Sequence, residues 1–306
     1  MHWAAVSFLN ASLAWMTGAF FVRIWLTGPE GTWTDQALRR LDTTFLIACI
    51  ICGVCSGVNL WIAAAAMGDV PLLSASGAFQ TMVISTNYGR FGLYGLAILA
   101  IVGLLYRFHG NSKNNDLKIW LTGLLLVAFM FTRAAVSHAA EAGLFSLAVA
   151  MDWLHIVSMS CWVGIVVVSA FATLPYAKFE PDEGLQITQR FLVSLSTAAT
   201  VALVGILATG VYNAYHGLRS LEDLVSTNWG QALSVKICLV AIAVALGGFN
   251  RFVGFPAALD SDGSKQSVTG SMQRLKTVLL VESALLLGAV IAAAVLASQG
   301  APTMSN

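Results

Sequence analysis

Charge is what this sequence is short of. Asp, Glu, Lys and Arg make up 10% of its 306 residues, against roughly 25% in a soluble domain. That is too little to cover a water-exposed surface. Proline is scarce as well, and Pro29, Pro71, Pro175, Pro181 and Pro256 fall between apolar runs rather than inside them. The five cysteines sit mostly within apolar runs, which excludes a disulfide framework. There is no phosphate loop, nucleotide-binding domain or nucleophile elbow, and the inter-run loops are too short to hide a nucleotide domain. ATP-driven pumping by this chain alone is thereby disfavoured, and no catalytic constellation is visible. A net charge of +1 with no basic run leaves no case for a nucleic-acid or nucleotide partner. The opening Met1-His2-Trp3 lacks the basic segment and cleavage site of a signal peptide, so the first apolar run is expected to stay as a membrane helix.

What is present is hydrocarbon: 58% of the residues are hydrophobic and the mean hydropathy is +0.78. A spanning helix needs roughly 20 mainly apolar residues. Eight such runs occur, at 3–26, 43–66, 88–108, 117–138, 150–174, 192–213, 230–249 and 275–298. The expected fold class is therefore all-α, a polytopic membrane protein with membrane lipid as its solvent. Orientation follows from the basic residues. The odd-numbered loops and their flanks hold Arg23, Arg39, Arg40, Arg107, Lys113, Lys118, Lys178, Arg190, Arg251, Lys265, Arg274 and Lys276, twelve against the four of the even loops (Arg90, Arg133, Arg219, Lys236). This puts the odd loops in the cytoplasm and both termini in the periplasm of an inner membrane. His2, His138, His155 and His216 then lie at the periplasmic face and His109 at the other. Met1, Met67, Met82, Met151, Met159 and Met304 lie toward the periplasmic side too.

The two halves echo each other. Ser85-Thr86-Asn87-Tyr88-Gly89-Arg90 opens the third span and Ser226-Thr227-Asn228-Trp229-Gly230-Gln231 the seventh, while Ser56-Gly57-Val58 matches Thr209-Gly210-Val211. Two parallel four-helix repeats, 1–146 and 147–306, are expected within one membrane domain. Such repeats commonly place sites at their interface.

The richest constellation straddles the fourth and fifth spans: Arg133, His138, Glu141, then Asp152, His155, Met159 and Trp162. At about 100° per residue the last four share one stripe of a helix. The short loop 139–149 brings His138 and Glu141 to the same end. Imidazole suits copper, thioether selects Cu(I), and a carboxylate orients a ligating imidazole. The competing reading is structural: Asp152 caps its helix, Arg133 pairs with Glu141, and the histidines are interfacial. His2 and His216 are weaker ligand candidates. Lys236 and Glu282 lie inside spans, where charges face the bundle interior or water, and with Arg133 they suggest a polar path. Their depths differ by roughly 10 Å at helical rise, so direct pairing needs a tilt or a bridging water. Cys49, Cys52 and Cys55 are a candidate Cu(I) relay, although steps of three residues rotate by about 300° and cannot aim all three at one ion.

Ser137-His138-Ala139, Asp152-Trp153-Leu154-His155 with Trp162-Val163-Gly164, Arg190-Phe191, Thr209-Gly210-Val211, Trp229-Gly230 with Lys236, Asn250-Arg251, Pro256 and Glu282 together resemble the copper resistance protein D family. The resemblance is close over about 130–302 and looser before it. It implies an eight-span inner-membrane protein acting with a periplasmic copper carrier of the CopC type, with copper as its ion and transport across the membrane as its role. Two other readings stay open. One is a haem-bearing, cytochrome-b-like redox protein, with histidines on adjacent helices as axial ligands and membrane reductase activity. The other is a non-transporting docking platform for a periplasmic carrier.

Overall fold

A computed structural model describes residues 2–27, 32–107, 116–175, 183–256 and 265–299. His109, Lys113, Lys178, Met1 and Met304 lie outside them, as does the side chain of His2. Among the described residues every long element is helical, and eight helices are long and apolar enough to cross a membrane: Trp3–Leu26, Thr34–Met67, Asn87–Arg107, Leu117–Ala134, Leu147–Thr173, Ile187–Gly217, Asn228–Gly254 and Gln273–Ala297. The helices are α1 (His2–Leu26), α2 (Thr32–Met67), α3 (Ser76–Ser85), α4 (Asn87–Arg107), α5 (Asp116–Ala134), α6 (Leu147–Val168), α7 (Glu183–Gly217), α8 (Asp223–Ser226), α9 (Asn228–Phe249) and α10 (Lys265–Ala297). Three of them, α2, α7 and α10, begin about ten residues before the apolar runs that announce them. Hydropathy marks the part of a helix that needs lipid, not the polar turns that project beyond it.

The bundle is organised around a close crossing of α1 and α6. A Cβ on Gly18 would stand 2.1 Å from the Gly164 carbonyl oxygen, and one on Gly164 2.0 Å from that of Ala14. Backbone meets backbone there, as small residues permit between helices in lipid. Helix α2 packs on α1 and α7 on α6; α4–α5 and α9–α10 form the outer pairs, and α10 also touches α1 as α5 touches α6. The core runs through Leu9, Leu13 and Met16 of α1, Phe45 of α2, Phe129 and Met130 of α5, and Ile165 of α6. Ile50, Val54, Leu104, Trp120, Leu124, Val201 and Val211 point outward, an apolar surface that bilayer covers at no cost.

One end of the bundle is pinned by Arg23, which pairs with Asp42. The Tyr106 hydroxyl donates to Asp42 Oδ1 at 2.9 Å, and its ring stacks on Phe45 with centroids 3.7 Å apart. This ties α1, α2 and α4 together. The opposite end, the His138 face, carries the turns between α2 and α4, α5 and α6, and α7 and α9. Two of its helix starts share one construction. Thr86 Oγ1 accepts from Gly89 N–H at 3.0 Å and donates to the Met82 carbonyl at 2.7 Å. Thr227 Oγ1 accepts from Gly230 N–H at 2.9 Å and donates to the Asp223 carbonyl at 2.8 Å. The Arg90 guanidinium and the Gln231 amide then cap Ile84 and Val225 carbonyls. Two helices end in a feature that periodicity does not reveal: α6 continues through a π-helical turn, Ser169–Thr173, and α9 through another, Asn250–Gly254.

Candidate metal-handling pocket

Helix α6 supplies the heart of the pocket because its polar residues recur on a helical stripe in an otherwise apolar segment. Asp152, His155, Met159 and Trp162 all line one cavity of about 230 Å³, joined by Asn10 of α1, Arg133 of α5, Ser137 just beyond it and Lys236 of α9. The helix starts at Leu147, capped by Ser146, whose hydroxyl accepts from Val149 N–H at 3.3 Å. Asp152 is therefore in the second turn, and the reading of it as a helix cap is corrected. Its carboxylate lies near the Ser137 hydroxyl, which donates to the Ala134 carbonyl at 2.8 Å, and feels the cations of Arg133 and Lys236.

The geometry of His155 fixes its tautomer. Nδ1 lies 2.9 Å from Thr209 Oγ1, and that hydroxyl spends its one proton on the Gly205 carbonyl at 2.6 Å. Thr209 must accept, so Nδ1 carries the hydrogen and Nε2 keeps a lone pair. Lys236 Nζ sits 3.4 Å from Nε2. An ammonium thus holds the position on Nε2 where a metal would bind. A hydrogen-bond acceptor on the far nitrogen is the usual arrangement for a ligating histidine. The sequence marks Thr209 as part of a repeat and of the family resemblance, but not as a site residue. A threonine in a small-residue helix gives no sign that it steers an imidazole on its neighbour.

Glu282 forms a separate layer. Its buried carboxylate interacts with Trp162 and rests against α9, where a Cβ on Gly247 would stand 3.1 Å from Oε1. Lys236 and Glu282 have separate partners, His155 for the first and Trp162 for the second.

The constellation expected at the His138 face divides. His138 Nδ1 and Glu141 Oε1 lie 3.0 Å apart in a one-turn 3₁₀ helix, with side chains 66% and 70% exposed, and neither lines the pocket. The loop runs outward, turning at Gly143, whose φ of 107° favours glycine. Glu141 pairs with His138, which corrects the expected Arg133–Glu141 pair. His216 is exposed at the end of α7, bonded to the Tyr212 carbonyl at 2.9 Å, and does not line the pocket either. The cysteines diverge: Cys49 Sγ faces the Leu99 carbonyl of α4 at 3.4 Å, while Cys52 bonds to Ser12 of α1. Among the described residues no three His, Cys, Asp or Glu side chains converge on one ion. Since His138 and His155 do not share a cavity, a haem held between those two does not fit.

Fold and pocket together define a multi-pass helical membrane protein with a buried donor pocket near one face. The chain matches the family descriptions "Copper resistance protein D" over residues 185–296 and "Copper resistance protein D-like, N-terminal domain" over 3–146. It belongs to the copper resistance protein D family. It is 32% identical over 176 residues to the "Copper transport protein CutJ" of Bacillus subtilis (strain 168), a match covering 56% of this chain and 29% of that protein. It is 26% identical over 176 residues to the "Inner membrane protein YebZ" of Escherichia coli (strain K12), covering 57% of each. The chain thus spans less than two thirds of either relative. No solved structure matches.

Proposed function

We propose that this protein passes copper across the inner membrane, with the His138 face toward the periplasm and the His155 pocket as the ion's first buried seat. One observation carries the reading: Thr209 locks His155 so that its Nε2 lone pair opens into a cavity also lined by the Met159 thioether and the Asp152 carboxylate. Imidazole with thioether is a donor set for Cu(I). The set is incomplete, which suits transit, since a conducting site must bind weakly enough to let its ion leave. Arriving copper displaces the Lys236 ammonium from Nε2, and the ammonium has Asp152 to turn to. Glu282 offers the next polar level. The exposed His138–Glu141 pair is the contact for a periplasmic copper carrier, and the two halves are copies of one ancestral unit, of which the second kept the pocket.

The test is copper flux in proteoliposomes, read by an encapsulated copper-sensitive dye. Wild type is expected to move copper, and His155→Ala and Glu282→Leu to stop it. Equal flux in all three would refute the route. Copper-free protein showing a Soret band would replace the reading with a redox one.

A further inference from the structure

Below the pocket and below Glu282 lies a third polar layer. Ser169 and Thr173 are fully buried and Asn250 is 2% exposed. Among the described residues the Ser169 and Thr173 hydroxyls and both polar atoms of the Asn250 amide have no hydrogen-bond partner. Buried polar groups are nearly always satisfied, so four orphan atoms on two helices that both pack on α10 need an explanation. They also share a level. Trp162 meets Glu282, and Ser169 follows Trp162 by seven residues, two helical turns or about 10 Å. On α9, Gly247 meets Glu282 and Gly254 meets Leu275, which stands seven residues before Glu282. Asn250 lies between those two glycines.

Direction matches depth. His155, Trp162 and Ser169 recur every seven residues of α6, and Lys236, Ala243, Asn250 follow the same interval on α9, so each set faces one way. Both π-helical turns coincide with the orphans and both pack on α10. A π turn widens the helix and frees a carbonyl, and such turns recur at functional positions. The amide packs against Gly254, where a Cβ would stand 3.0 Å from Asn250 Oδ1.

We propose that Ser169, Thr173 and Asn250 form an inner hydration site, in which ordered water continues the polar route from Glu282 toward the Arg23 end of the bundle. Water is favoured over a bare cation by the amide itself. Asn250 leaves a donor and an acceptor unpaired, and a cation pairs only with acceptors, whereas water serves both. The site rests on the transport reading for its purpose, but its hydration is measured without copper, so the two fail separately.

The experiment is thiol accessibility in a background freed of the native cysteines, with Ser169→Cys, Asn250→Cys and the apolar control Leu126→Cys, using a small positively charged methanethiosulfonate. The hydrated layer is expected to label at least about tenfold faster than the control, because thiol reactivity follows thiolate formation and access. If the variants do not fold, radiolytic footprinting of the unmodified protein replaces them, and oxidation of Leu275 should exceed that of the equally buried Leu126. Labelling at the control rate, or Leu275 oxidised no more than Leu126, would overturn the proposal.

Discussion

The two halves of the molecule start helices alike and fill their interiors differently. Thr86 and Thr227 build the same cap, and Gly18 and Gly164 meet at the central crossing. Nine residues before Gly164 stands His155; nine before Gly18 stands Leu9, fully buried in the core. The second half gives His155 a partner in Thr209. In the first half the matching Ser56 hydroxyl is buried with no partner among the described residues. Asp152, Lys236, Glu282 and Asn250 all belong to the second half too, and the first half adds Asn10, Arg133 and Ser137 to the polar lining of the pocket. Similar helix starts beside unlike interiors teach that the caps and the crossing do not depend on the polar residues. Charges inside a bilayer are costly and mark function.

The comparison breaks most visibly at the crossing. Gly164→Leu drives a side chain into the Ala14 backbone and should destabilise the fold by more than the roughly 1–3 kcal/mol of ordinary overpacking. Gly57→Ala meets nothing within 4 Å and should leave the thermal midpoint in detergent unchanged. Next in size is the partner of the imidazole. Thr209→Val leaves Nδ1–H without an acceptor and should weaken copper binding by about 10–100-fold, read by competition with a chromophoric chelator. Its counterpart Ser56→Ala deletes a hydroxyl that has no partner among the described residues, and should change neither affinity nor thermal midpoint. Wild-type affinity in Thr209→Val would remove the reason for treating the halves as unequal. The smallest effect belongs to Gly247→Ala, whose methyl would press on Glu282 at 3.1 Å. It should lower copper flux while binding at His155 persists, separating the middle layer from the pocket.

Much of this was legible in the sequence because lipid imposes simple demands. Runs of about 20 apolar residues located all eight spans, and the helical stripe of Asp152, His155, Met159 and Trp162 reappears as one wall of a cavity. What the pattern misplaced depends on tertiary direction. The loop after α5 runs outward, so His138 and Glu141 share an end of the membrane with His155 and yet no cavity. Spacing alone also does not say that Cys49 turns to α4 and Cys52 to α1. The π-helical turns at Ser169 and Asn250 were invisible for a different reason: one extra residue per turn leaves no trace in hydropathy.

Copper stoichiometry of the purified protein tests the central assignment most directly, comparing His155→Ala with His138→Ala. A buried seat at His155 predicts that the first variant loses its bound copper and the second retains it with little change in affinity. Copper kept by His155→Ala and lost by His138→Ala would put the ion in the exposed loop and contradict the account.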